Sequence, residues 1–178
     1  QGAALRGAQC GRGACVASRG DVDFRWSARE DGAALASPSA PCSVDLGGVT
    51  FRFVMPLAPD MGTLSARQND DSLVLRVTYG ATHLLLTGDL EAAGEAVLLA
   101  SGEDLQADVL KAGHHGSKTS STAAFVAAVH PRLALVSVGA HNLYPHPSPE
   151  ILERYAADGT AQTRTDPQGP PPDPRSLP

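Results

Sequence analysis

Three short polar clusters each follow an apolar run that is typical of a buried strand. The clusters are Thr87-Gly88-Asp89, then His114-His115 with Ser117 and Lys118 behind it, and then the segment from His141 to His146 with Asn142. Imidazole and carboxylate groups are ligands that suit Zn or Mn, and one carboxylate can bridge two ions. Because ligand groups gather at the carboxyl ends of strands in open α/β sheets, these clusters predict a divalent-metal site.

The adjacent histidines His114 and His115 lie between Gly113 and Gly116, which let the backbone approach a metal or a phosphate closely. Successive residues of an extended segment face opposite ways. We therefore expect one of the two histidines to bind the metal and the other to support it or to contact the substrate. Two imidazoles in a glycine-lined turn contribute little to packing, which favours a functional role for the pair.

Each cluster also has a structural interpretation. A Gly-Asp pair after a strand is often only a turn or a helix cap, and the His146-Pro147 pair is also consistent with a capping loop. The hydroxyl run from Ser117 to Ser121 could simply start the next helix. His83 and His130 are interpreted as surface or core histidines. The order of the three clusters, each after a buried strand, favours a metal site over these readings.

The elements predicted to position the clusters change type after Asp89. Before it, "VDFRWS" and "GVTFRFVMP" alternate as half-buried strands do, and "SLVLRVTYG" and "THLLLTGD" form a hairpin. The hairpin core is expected to contain Leu73, Leu75, Leu84 and Leu86. After it, helices at "LEAAGEAVLLASG", "SSTAAFVAAV" and "SPEILERYAADG" alternate with strands at "ADVLKAG", "LALVSVG" and "TAQTRT". Ser148 is placed as the N-cap of the last helix.

Composition limits the modes of function. The chain has 178 residues, enough for one domain, and a formal net charge of -5, which argues against holding nucleic acid by bulk charge alone. No apolar run approaches the roughly 18 residues of a membrane span. The chain begins at Gln1 without a signal-peptide pattern, and we expect it to be a fragment or a processed product.

The three cysteines, Cys10, Cys15 and Cys42, cannot all pair within one chain. One disulfide with one free thiol, or three reduced thiols, would satisfy this count. Cys10 and Cys15 lack a second ligand pair nearby, so a zinc knuckle is not expected there.

Three segments closely resemble the metallo-β-lactamase-like domain of ComEC-type DNA-internalisation competence proteins. They are "NDDSLVLRVTYGATHLLLTGDLE", "ADVLKAGHHGSKTSS" and "ALVSVGAHNLYPHPSPEIL", within a resemblance that extends from about Cys42 to about Gly169. The motifs N-D-x-S-L-V-L, L-L-T-G-D, K-x-G-H-H-G-S-K-T-S and Y-x-H-P-S-P-E follow the family's order and spacing. The resemblance implies an α/β fold, the C-terminal part of a metallo-β-lactamase-like αββα sandwich.

The resemblance also implies site residues. Those for metal binding and catalysis are Asp89 as the bridging aspartate, His114 or His115 as a ligand or phosphate contact, and His146 as the late histidine. Those on the substrate side are Ser117 and Lys118, which would hold a phosphate oxygen, and Asn142. The cofactor implied is Zn or Mn, as one or two ions in the complete domain.

The sequence departs from the family before Asp89. Metallo-β-lactamase folds carry an H-x-H-x-D-H loop there, whereas the first histidine of this chain is His83. We expect this chain to be inactive by itself and its parent protein to be the enzyme. The predicted organisation is an irregular segment with short strands over 1–41, the metallo-β-lactamase-like part over 42–166, and a disordered proline-rich tail over 167–178.

The function implied by the resemblance is a metal-dependent DNA phosphodiesterase or nuclease associated with DNA uptake. Its partners would be single-stranded DNA and the rest of a membrane-spanning DNA channel, with the domain outside the cytoplasm. Two alternatives are a metallo-β-lactamase-fold hydrolase of a small ester and a non-catalytic remnant that binds DNA or a partner. Lys118 and the hydroxyl run favour phosphate over a neutral ester.

Overall fold

The computed structural model describes residues 42–55, 69–70, 72–139, 142 and 144–166. Several predictions lie outside these residues: the strand at "VDFRWS", the irregular segment 1–41, the tail 167–178, and the placement of Cys10, Cys15 and His141. Among the described helices, none is long and apolar enough to cross a membrane.

Seven strands form one mixed sheet in the order of the sequence. Their bounds are β1 Cys42–Leu46, β2 Val49–Met55, β3 Val74–Tyr79, β4 Thr82–Leu86, β5 Val109–Lys111, β6 Leu133–Val136 and β7 Ala161–Arg164. Strands β1 to β4 pair antiparallel, and β4 to β7 pair parallel. The meander followed by an alternating α/β half agrees with the sequence prediction.

Three helices provide the crossovers between the parallel strands. Helix α1 is Ala92–Ala100, α2 is Ala123–Val129 and α3 is Pro149–Ala157. Ser148 is the N-cap of α3, as predicted, although its side chain makes no capping hydrogen bond. Thr122 caps α2 instead of a residue of the preceding hydroxyl run, because its hydroxyl accepts the N–H of Phe125.

Strand β1 is an element that the sequence analysis does not predict. It pairs with β2 through a tight turn at Gly47 and Gly48, whose φ angles of 58° and 83° require glycine. The Gly-Gly pair between "CSVDL" and "VTFRF" is a two-residue hairpin signal of the kind that joins alternating strands.

The core lies between one face of the sheet and the three helices. The sheet residues in it include Val74, Leu85, Leu110 and Ala134, each with no exposed surface. They pack in one cluster with residues of all three helices, including Leu98, Phe125, Val129, Ile151 and Tyr155.

The prediction for the hairpin core was wrong, because it chose residues on the face of the strands that points away from the helices. Leu73 precedes β3 and is 46% exposed, and Leu75, Leu84 and Leu86 are only partly buried on the face opposite the helices. Side chains alternate between the two faces of a strand, so the residues that meet the helices are the neighbours of those leucines. Alternation in the sequence showed that one face is apolar, but both faces of this hairpin carry apolar residues.

Candidate functional site

The predicted clusters meet at one edge of the sheet. Strands β4, β5 and β6 are parallel neighbours, so the segments that follow them lie side by side. They surround a pocket of about 460 Å³. Its described lining is Asp89, His114, His115, Ser137, Val138, Gly139, Asn142, Tyr144 and His146. The structure therefore brings together the predicted metal residues and Asn142.

Asp89 and His115 form a close pair of potential ligands in the pocket. His115 Nδ1 lies 2.6 Å from the Ser137 carbonyl oxygen, which can only accept, so Nδ1 carries the proton. The other ring nitrogen, Nε2, lies 3.4 Å from Asp89 Oδ1. Two ligands of a tetrahedral zinc with bonds of about 2.1 Å are separated by about 3.4 Å, so this pair has the spacing of two ligands of one ion.

The turn that carries Asp89 is held from both sides. The Asp89 N–H donates to the Ser72 hydroxyl at 3.0 Å. Lys111 Nζ donates to the Gly88 carbonyl oxygen at 2.7 Å and lies 3.8 Å from Asp89 Oδ1. Burial lowers the pKa of Lys111, whereas the neighbouring Asp89 charge acts to raise it. A largely buried lysine therefore supports the carboxylate from behind the pocket.

The His114-His115 segment is a tight turn and not an extended strand end. Both residues have left-handed backbone angles, with φ of 42° and 55°, and their ring centroids are 6.4 Å apart. The two rings therefore do not point to opposite sides as they would in an extended segment, and both line the pocket. Which of them would bind a metal and which would support it or contact the substrate stays a prediction. The flanking glycines are required by space: a Cβ at Gly116 would lie 2.7 Å from the Pro147 Cβ.

Glu91 is the principal site residue that the sequence did not reveal. Its Oε1 accepts three hydrogen bonds, from His114 Nδ1 at 2.9 Å, Thr119 Oγ1 at 2.9 Å and Asn69 Nδ2 at 3.1 Å. The bond from Asn69 is the largest cause that lowers the pKa of Glu91. These partners lie 22 to 28 residues away in the chain, so no local pattern indicates them.

His146 completes the histidine group at the pocket. Its ring centroid lies 5.4 Å from that of His114 and 6.0 Å from that of Tyr144, with which it is stacked. His146 Nδ1 is buried and has no hydrogen-bond partner among the described residues. Buried ring nitrogens are normally paired, so this atom is suited to a bound ligand.

The hydroxyl run lies under the histidine turn and not in the pocket. Ser117, Ser120 and Ser121 are buried. Ser120 Oγ lies 2.8 Å from the Gly113 carbonyl oxygen, and Ser121 Oγ lies 2.8 Å from Tyr155 Oη. Lys118 is exposed, and neither it nor Ser117 lines the pocket. The phosphate contacts predicted for these two residues have no support from their positions.

Glu95 anchors the loop that carries the hydroxyl run. Its side chain is buried, and its carboxylate accepts the backbone N–H groups of Ser121 and Thr122, the latter at 2.8 Å. Burial raises the pKa of Glu95. The carboxylate joins α1 to the start of α2 and so fixes the segment that leads out of the histidine turn.

The donor set suits a divalent ion but does not enclose one. Carboxylate and imidazole fit Zn or Mn, and the orphaned His146 nitrogen fits a ligand. Within the residues that the structure describes, however, no group of three or more His, Cys, Asp or Glu side chains converges as a metal centre. Asp89 and His115 thus offer two potential ligands at the spacing of one ion, with His114 and His146 lining the same pocket.

Comparison with known proteins agrees with this fold. The family model described as "Metallo-beta-lactamase superfamily" matches residues 62–141. ComE operon protein 3 of Bacillus subtilis is 36% identical over 149 residues, which cover 84% of this chain and 19% of that protein. Competence protein ComA of Neisseria gonorrhoeae is 42% identical over 127 residues, covering 68% of this chain and 17% of that protein. Recombination protein 2 of Haemophilus influenzae is 34% identical over 107 residues, covering 60% of this chain and 13% of that protein.

The mixed sheet, its helices and the family match define a domain of the metallo-β-lactamase superfamily. The competence-protein relatives give the particular assignment: the chain belongs to the ComEC-type competence proteins, as a domain of hydrolase fold. It spans less than a fifth of the length of these relatives, given the coverage of 19% and 17%.

Proposed function

We propose that this chain is part of a metal-dependent DNA phosphodiesterase that acts in DNA uptake, in an extracytoplasmic domain of a membrane-spanning channel protein. The observation that carries the proposal is the Asp89-His115 pair, with 3.4 Å between Oδ1 and Nε2, in a pocket that also contains His114 and His146. The names of the competence relatives support the biological setting.

Asp89 and His115 would hold the metal, which in this chemistry supplies an activated water and stabilises charge on the phosphate. Ser137 keeps the proton of His115 on Nδ1, so Nε2 faces the carboxylate. His114 and His146 line the same pocket and would contact the phosphate or supply further ligands to the metal. Lys111 balances the Asp89 charge and fixes the turn that presents it.

Tyr144 supports single-stranded DNA as the substrate. The ring is 71% exposed at the mouth of the pocket and lies parallel to the His146 ring, with an interplanar angle of 12°. Aromatic side chains beside a nuclease site are platforms on which unpaired bases stack. With a net charge of -5, the chain would hold DNA locally at this mouth and not on a broad basic face.

A non-catalytic role that binds DNA or a partner is the second candidate. The observation in its favour is the lack of three converging ligands among the described side chains. After metal loading the enzyme would cleave DNA, whereas the non-catalytic protein would not. The small-ester hydrolase differs from both, because it would need no base-stacking residue at the pocket mouth.

The experiment measures digestion of end-labelled single-stranded and duplex DNA with added Mn, Zn or Mg. It uses this chain and a parent protein that restores the H-x-H-x-D-H loop. Asp89→Ala is expected to reduce cleavage by the parent protein at least about 100-fold, because the metal pair is lost. Asp104→Ala is the matched control: this exposed carboxylate pairs with Arg76, outside the lining of the pocket, and cleavage should be unchanged.

Two further variants separate DNA binding from metal binding. Tyr144→Ala is expected to weaken binding of single-stranded DNA while leaving metal affinity unchanged, whereas Tyr144→Phe should retain DNA binding. If the metal-loaded parent protein hydrolyses small esters and leaves both DNA substrates intact, the nuclease proposal is wrong and the protein is a small-molecule hydrolase.

A further inference from the structure

We propose that Glu91 is the positioning residue of the site: its carboxylate holds the proton of His114 on Nδ1 and so presents the free Nε2 to a bound ligand. The inference extends the proposed function, since the ligand would be the metal or the phosphate held at the pocket. The position of the proton on His114 can be measured without metal or DNA.

The backbone at Glu91 is fixed by another residue. Glu91 occupies the N-cap position of α1, where a side-chain oxygen can bond the first N–H groups of the helix, but its own side chain makes no such bond. Asp70 takes that role, because its Oδ1 accepts the N–H groups of Glu91 at 3.1 Å and Gly94 at 2.8 Å. The Glu91 side chain is therefore free to reach across to the histidine turn.

The hydrogen bond to Glu91 decides which nitrogen of His114 carries the proton. A carboxylate only accepts, so the 2.9 Å contact places the proton on Nδ1 and leaves the lone pair on Nε2. Thr119 and Asn69 donate to the same Oε1, which holds that oxygen in place beneath the ring.

His115 has the same arrangement with a different acceptor. Its Nδ1 faces the Ser137 carbonyl oxygen at 2.6 Å, and its Nε2 faces Asp89. Both histidines of the turn are thus held with the proton on Nδ1, one by a backbone carbonyl and one by Glu91. Carboxylates and carbonyls behind metal-binding histidines serve this purpose, and their loss typically costs about 10- to 100-fold in metal affinity.

The test reads the His114 tautomer in the metal-free chain by nitrogen-15 NMR at a pH where the ring is neutral, with the signal assigned from a His114→Gln spectrum. Wild type and Glu91→Gln, which keeps an acceptor oxygen, are expected to show the proton on Nδ1. Glu91→Ala is expected to shift His114 toward the tautomer with the proton on Nε2. In a titration with Zn, Glu91→Ala should bind about 10- to 100-fold more weakly than wild type, and Glu91→Gln should bind as wild type does.

Two controls exclude a merely structural effect. Thr119→Val removes one donor to the same oxygen but leaves the acceptor for His114, so the tautomer should not change. Glu103 is another partly buried carboxylate: it accepts hydrogen bonds from Arg52 and lies outside the pocket lining. Glu103→Ala should therefore change neither the His114 tautomer nor the Zn affinity.

The proposal is overturned if wild-type His114 carries its proton on Nε2, a result that needs no folded variant. It is also overturned if a folded Glu91→Ala retains the Nδ1 proton, or if wild type binds Zn and Glu91→Ala changes tautomer without weakening that binding. If wild type shows the Nδ1 proton and Glu91→Ala loses it, but wild type binds no Zn, the positioning of His114 stands and the proposed metal function fails.

Discussion

Tyr155 illustrates how a residue outside the pocket supports it. The ring is fully buried on α3, and its hydroxyl lies 2.8 Å from Ser121 Oγ, in the loop that follows the histidine turn. Arg154 reaches the same loop, donating to the Ser121 carbonyl oxygen. A helix near the end of the domain therefore holds the segment that leads out of the site.

The alkaline stability of the chain is expected to depend on Tyr155. Burial raises the pKa of Tyr155 to about 12, against about 10 in an unfolded chain. Its contribution to stability is therefore complete below about pH 10 and is lost as the pH rises through about 12. Urea unfolding at a series of pH values should show a loss of up to about 3 kcal/mol over this range, which is absent from Tyr155→Phe.

Tyr79, which is 67% exposed, provides the control for that measurement. Tyr79→Phe should follow the pH dependence of the wild type. If Tyr155→Phe and the wild type lose stability in parallel between about pH 10 and 12, the buried hydroxyl does not control alkaline unfolding.

At the scale of elements, Glu95 joins α1 to α2. Both backbone donors that it satisfies, Ser121 N and Thr122 N, belong to the turn between the hydroxyl run and α2. Glu95→Gln would place an amide N–H group against one of these donors, so we expect a loss of about 1 to 3 kcal/mol in the free energy of unfolding. Denaturant unfolding at neutral pH measures it.

The matched control for Glu95 is Glu153→Gln on the exposed face of α3, which should stay within about 0.5 kcal/mol of wild type. Glu95→Gln should also weaken metal binding, because the loop it anchors continues from the histidine turn. Unchanged stability in Glu95→Gln would mean that the turn is held by its own hydroxyl bonds and not by the helix.

Elements with local signals were predictable from the sequence. The hairpin of β3 and β4, the strand ends that carry Asp89 and His114, and the N-cap at Ser148 follow from spacing and residue type. The left-handed conformation of the histidine turn was not predictable, because non-glycine residues rarely adopt it and tertiary contacts must impose it.

Side-chain partners that are distant in sequence were also not predictable. Glu91 and His114 are 23 residues apart, and Ser121 and Tyr155 are 34 apart. The hydroxyl run therefore suggested phosphate binding from its composition alone, whereas its contacts show that it braces the loop. Composition identifies which groups are present, but burial decides whether they face a ligand or the protein.

For the whole molecule, the important feature is that the sheet is covered unequally. The three helices bury one face. The opposite face carries rows of paired residues that are mostly apolar and only partly buried, with Lys111 between Leu86 and Leu135 as the exception among the rows named below. No described helix contributes to a core cluster on that face. The apolar residues of these rows are Phe51, Phe53, Leu75, Val77, Leu84, Leu86, Val109, Leu133 and Leu135. In an αββα sandwich this is the face on which a second sheet packs.

We therefore expect this chain to self-associate as its concentration rises, because a large apolar sheet face favours association with another copy. Sedimentation velocity over a concentration series measures it. Leu84→Glu, on the open face, should reduce self-association and retain the fold. Its neighbour Leu85 has no exposed surface and faces the helices, so Leu85→Glu should unfold the chain. A wild-type chain that stays monomeric at high concentration would show that the open face is covered within the chain itself.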